Sequence, residues 1–98
     1  MSYIGKDYNY GYVFLFYDVN EKRVQKVFKI CKKYLSHHQN SVFRGTITPS
    51  KLINLKEELK SRTDPKEDNI TIIKLFSERY FEEENIGIPR RAGESMFL

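Results

Sequence analysis

The chain is poor in most of the features that identify a protein class at first sight. A single cysteine, Cys31, rules out a disulfide framework and a zinc cluster built on cysteine ligands. No apolar run approaches the roughly 18 residues that a membrane-spanning helix needs. Residues 1–11 are polar and Tyr-rich, without the basic-then-apolar order of a signal peptide. These absences point to a cytoplasmic protein with no membrane partner. There is no Gly-rich phosphate loop, no zinc-ligand spacing and no nucleophile elbow. Neither sign of charge dominates: 17 basic and 13 acidic side chains leave a net +4, which alone decides little.

What the chain does hold is a core. Its 98 residues suit one domain, and a 40% hydrophobic fraction with seven Tyr and seven Phe argues against disorder. Tyr12-Val13-Phe14-Leu15-Phe16-Tyr17 is a wholly apolar run that meets a lone carboxylate, Asp18, before Val19. Such a run is expected as a strand buried on both faces in the middle of a sheet. Carboxylates are seldom buried without a partner. Asp18 is therefore expected at the strand's edge, holding a cation or ordering a loop.

A helix follows. Asn20 suits an N-cap, Glu21 the positive end of the dipole, and Val24, Val27, Phe28, Cys31, Tyr34 and Leu35 recur as one apolar stripe. In that stripe Cys31 reads as a small buried hydrophobe. Lys22, Lys26, Lys29 and Lys33 take the other side. With Arg23 and Lys32 they fall within twelve residues, and Glu21 is the one adjoining acid. This clustering suits a polyanionic partner, although a solvated helix face would show the same pattern.

Residues 37–47 read as a short irregular hairpin turning near Asn40. Thr48 as N-cap and Pro49 at the first position open a second helix, with Leu52, Leu55 and Leu59 inward. After a turn around Asp64-Pro65 and Asp68, Ile70 to Phe76 reads as a strand, and residues 80–81 with Ile86-Gly87-Ile88 as one more. The order predicts an α+β, ferredoxin-like βαββαβ fold, with an antiparallel sheet, both helices on one face and an extra C-terminal strand. Residues 1–11 would be an N-terminal extension, 12–88 the domain and 89–98 a tail. The uncovered, aromatic sheet face is most economically hidden in a homodimer.

Asp18 leads the candidates for chemistry. By residue type and position it suits a turn-organising role. Two Asp18 side chains meeting across a two-fold axis would instead hold one Mg2+ and activate water against a phosphodiester. His37 and His38, adjacent on a strand, point to opposite faces and do not chelate one ion. Asp64, Glu67 and Asp68 read as a solvated acidic turn.

Two separate stretches in register resemble a known family. Tyr17-Asp18-Val19 with the basic helix resembles the opening of the small CRISPR-associated endoribonuclease family, Cas2, and Gln39-Asn40-Ser41-Val42-Phe43-Arg44-Gly45 is similar to its second hallmark. The likeness spans roughly residues 12–88. It implies a ferredoxin-like homodimer whose C-terminal strand reaches the partner's sheet, with Asp18 as the catalytic, Mg2+-binding position. It implies a duplex-DNA-binding adaptor between CRISPR integrase subunits during spacer integration. A conditional Mg2+-dependent endonuclease activity on single-stranded RNA or double-stranded DNA goes with it. Lys22, Arg23, Lys26, Lys29, Lys33 and Arg44 become nucleic-acid-binding candidates, and Tyr17, Ser41 and Phe43 residues that shape the site. The alternative is a toxin-like messenger-RNA endoribonuclease outside a CRISPR system. The chain departs from the family pattern in residues 1–11, in residues 89–98 and at Leu35-Ser36-His37-His38, where many members have a Gly.

Overall fold

The computed structural model describes residues 11–87. It runs β1 (Tyr12–Asp18), α1 (Glu21–Tyr34), β2 (Ser36–Gln39), β3 (Val42–Thr46), α2 (Pro49–Arg62) and β4 (Asn69–Leu75), ending in a 3-10 turn at Glu78–Tyr80. The four strands form one sheet in the order β2-β3-β1-β4, and every neighbouring pair is antiparallel. This is the ferredoxin-like βαββαβ arrangement expected from the element order.

Alternation along β1 decides how the layers are built. Val13, Leu15 and Tyr17 point to one side and are buried with Val27, Ile30 and Cys31 of α1 and Leu52, Leu55 and Leu59 of α2. Phe43 of β3, opposite Leu15, completes that core. Both helices therefore cover this face of the sheet. Ile30 is a core residue that the sequence-based stripe omitted. The expectation that β1 is buried on both faces is corrected. On the other side Phe14 is half-buried, Phe16 is 37% exposed and Asp18 is exposed, because no helix lies over them.

Local chemistry fixes the ends of the elements. The Asn20 side chain accepts from Lys22 N, and that of Thr48 from Lys51 N, so both helices start at satisfied N-caps. Asn40 takes φ +46° in the two-residue turn between β2 and β3, a conformation that Asn tolerates better than most side chains. Gly45 has φ +152° on the helix-facing side of β3, where an added Cβ would meet Leu35 and Ser36 and the backbone would be strained.

The C-terminal end departs from expectation in detail. Tyr80 sits in the 3-10 turn, and the described residues 81–87 form no strand within the single chain. Ile86 is 99% exposed. Ile88, the last residue of the expected strand, lies outside the described residues, as do 1–10 of the extension and the whole of 89–98.

Candidate functional site

The open face of the sheet is the side opposite the helices. β1 sends Tyr12, Phe14, Phe16 and Asp18 there; register adds Arg44 of β3 beside Phe14, and Asn69 of β4 beside Asp18. Phe81 covers one end, with ring centroids 5.5 Å from Tyr12 and 4.8 Å from Phe14. The end of β1 carrying Phe16 and Asp18 stays open.

Asp18 is exposed, and among the described residues no hydrogen bond or ion pair holds its carboxylate. The turn-organising role that residue type suggested for it belongs to another residue. Asp68, read from sequence as loop solvation, is corrected to a half-buried organiser of the turn with 1% of its side chain exposed. Its Oδ1 accepts from Asn20 N at 2.8 Å and from an Arg23 Nη at 3.2 Å. Its Oδ2 accepts from Arg23 Nε at 2.6 Å and Asp64 N at 2.8 Å. The other carboxylate in reach, Glu67, accepts from the same Arg23 Nη at 2.7 Å. The fork of Arg23, a geometry well matched to a carboxylate, holds the Asp68 carboxyl well below the usual carboxylate range, and the Asn20 and Asp64 amides add to that. One clip thus ties the β1–α1 turn to the start of β4. Asp18 is left with no structural task in the turn it adjoins. In sequence the signal was thin: an Asp just ahead of a strand and an Arg early in a helix.

The other candidates divide between the two sides of the sheet. Tyr17 is buried on the helix side, stacked on Phe43 at 6.2 Å. Burial pushes its phenol up to about 12, opposed by a hydrogen bond with the Ser41 side chain, and its backbone N–H donates to Ser41 O at 3.1 Å. Tyr17, Ser41 and Phe43 therefore form a unit beneath β1, not one beside the Asp18 carboxylate. His37 is buried between Phe28 and Phe43 and bonds Asn40 O at 2.8 Å, whereas His38 lies on the open face 3.5 Å from Glu83. The two histidines diverge as their adjacency on a strand requires. Cys31 is fully buried, and burial pushes its thiol up to about 12, consistent with a packing role.

The basic residues are unequally placed. Arg23 is committed to Asp68 and Glu67, and Arg44 is ion-paired with Glu83. Lys33 Nζ meets Glu58 Oε1 at 2.5 Å. Lys22, Lys26 and Lys29 are exposed and carry no ion pair among the described residues. No group of three or more His, Cys, Asp or Glu side chains within the described residues is arranged to hold a metal ion. A hard cation at this site would find one carboxylate per chain, at Asp18. That is an acceptable share for Mg2+, which keeps several waters and takes one or two carboxylates.

A family model described as CRISPR associated protein Cas2 matches residues 11–83. The chain is 42% identical over 87 residues to the CRISPR-associated endoribonuclease Cas2 of Thermotoga maritima, covering 89% of this chain and 98% of that protein. It is 35% identical over 85 residues to the protein of the same name from Dictyoglomus turgidum, covering 87% and 98%. Among solved structures, a crystal structure of Cas2 matches with TM-score 0.77 at 33% identity, over 87% of this chain and 95% of that one. Streptococcus pyogenes Cas2 at pH 6.5 matches with TM-score 0.65 at 33% identity, over 76% and 99%.

Proposed function

As the chain belongs to the CRISPR-associated Cas2 family, we propose that it is a homodimeric, duplex-DNA-binding adaptor of CRISPR spacer integration. Its paired Asp18 carboxylates hold Mg2+ and support endonucleolytic cleavage of RNA or DNA. The observation that carries the reading is the exposed, unengaged Asp18 carboxylate at the end of the central strand, on the face the helices leave bare. The names of the curated relatives favour RNA as the substrate to try first.

The reading assembles the site from two copies. Phe16 and Ile73, both exposed on the open face, supply apolar surface for a second chain. A two-fold axis near the end of β1 then brings one Asp18 from each copy together. Mg2+ bound there supplies Lewis-acid stabilisation of the charge that develops on the scissile phosphate. The chain's own contribution is positional. The Asp68–Arg23 clip fixes where β1 ends and α1 begins, and so where the Asp18 carboxylate points. The lysines without ion pairs on α1 attract the phosphodiester backbone.

Cleavage of labelled single-stranded RNA and of duplex DNA, with Mg2+ and with EDTA, tests the catalytic part. Cleavage is expected with Mg2+ and is expected to stop in EDTA. Equal cleavage in EDTA, or sedimentation as a monomer at the assay concentration, would sink the shared-carboxylate site. Integration of a spacer duplex by the integrase with and without this chain tests the adaptor role. Equal integration in its absence would remove that role.

A further inference from the structure

The sequence treats the basic residues of α1 as one cluster, but the structure separates them. Arg23 is used up at the clip, while Lys26, Lys29 and Lys33 line one wall of a groove of about 390 Å³ between α1 and α2. Arg62, in the last turn of α2, lines the opposite wall with Glu58 and Ser61. Four cations thus face a single carboxylate. Both oxygens of that carboxylate are already engaged: Lys33 holds Oε1, and the Tyr34 hydroxyl donates to Oε2. Lys26, Lys29 and Arg62 are exposed and have no ion pair among the described residues.

We infer that this groove between the helices is a second nucleic-acid site, a track for the phosphates of one strand, on the side of the molecule away from Asp18. The inference rests on the reading that the chain binds nucleic acid, and adds where it is held. Spacing supports a strand over a compact anion. Lys26 to Lys33 covers about 10 Å of helix axis at 1.5 Å per residue, longer than a single phosphate group and enough to meet successive phosphates of one strand. The groove offers an acidic polypeptide little else, since Ile30 is the one apolar side chain lining it and no free strand edge opens into it. Arg62 was not among the sequence-based candidates, because it lies far from the α1 cluster along the chain.

The placement has a functional consequence. Asp18 and the helices are on opposite sides of the sheet, since Leu15 and Tyr17 face the helices and Asp18 does not. A strand in the groove is held without being presented to the carboxylate of the same chain. Binding and cleavage then have separate determinants.

The test uses the full chain and two variants. Lys26→Gln/Lys29→Gln/Arg62→Gln neutralises the groove. Lys51→Gln/Lys56→Gln/Lys66→Gln removes equal charge elsewhere. Affinity for a duplex DNA, a single-stranded RNA and polyglutamate is measured against salt concentration. The groove variant is expected to bind duplex at least about tenfold more weakly at 0.1 M salt, and to lose about 2–3 from the slope of log affinity against log salt. The charge-matched control is expected to keep the wild-type slope. Equal losses in the groove and control variants would mean that only net charge matters, and overturn the inference. So would tighter binding of polyglutamate than of either nucleic acid, which would assign the groove to an acidic polypeptide. If the wild type binds no nucleic acid, the broader reading falls too. If it binds and the groove variant binds equally, the groove alone is refuted.

Discussion

Asp18→Asn is expected to lower Mg2+-dependent cleavage by on the order of 10²–10³-fold, the usual cost of removing one preorganised electrostatic group from a reacting centre. Folding and dimerisation should be untouched. The Asp18 side chain is exposed and makes no hydrogen bond or ion pair among the described residues, so exchanging it for a neutral isostere removes charge and nothing structural. The melting temperature should stay within about 2 °C, as for most surface substitutions. Cleavage is followed on labelled RNA under single-turnover conditions with excess enzyme. Cleavage by the variant at the wild-type rate would mean that Asp18 is not the metal-binding carboxylate, or that the activity belongs to a contaminant. Heterodimers of wild type and variant sharpen the result. A shared ion needs both carboxylates, so a mixed dimer should lose far more than half of the activity. Two independent half-sites would keep half.

The largest effect on stability is expected at Asp68. Asp68→Ala removes acceptors for Asn20 N, Asp64 N and two nitrogens of Arg23, and leaves the guanidinium with Glu67 alone. A fall in melting temperature on the order of 10 °C is expected, read by calorimetry at pH 7. The change should also depend on pH in a defined direction. Arg23 holds the folded-state Asp68 carboxyl well below its ordinary value. In the unfolded chain that group takes up a proton near pH 3.9. The clip's contribution is therefore complete above about pH 4 to 5 and is lost as pH falls towards the depressed native value. Glu58 and Glu83 are lowered as well, by Lys33 and Arg44, so the difference between wild type and variant is the quantity to follow. A difference that stays constant from pH 7 to pH 2 would mean that Asp68 acts by packing and not by charge.

How far the sequence could be read depended on the kind of force involved. Periodic burial was readable on the helices: the stripe on α1, short of Ile30, and the three leucines of α2 reported the covered face of each element. So were the caps, because Asn20 and Thr48 act on backbone one turn away. Contacts between distant segments were not readable. Asp68 looks like any loop acid until the fold sets it under Asn20, 48 positions earlier. The groove needed Arg62 of one helix to face Lys26 and Lys29 of another. The second face of β1 failed for a related reason. An unbroken apolar run does not distinguish a strand covered by helices on both sides from one whose other side is left for a different molecule. Asp18 was singled out from its position at the end of that run, and the resemblance of two distant stretches in register gave it a role.

The clip also bears on how the chain folds in time. It joins the turn after the first strand to the loop before the last, so its loop-closure cost is met only once both halves of the domain have docked. Interactions of that kind are largely absent from the folding transition state, and losing them accelerates unfolding more than it slows folding. Asp68 is expected to act in this way as a late latch, adding little to the rate at which the sheet is found and much to the time for which, once found, it is kept.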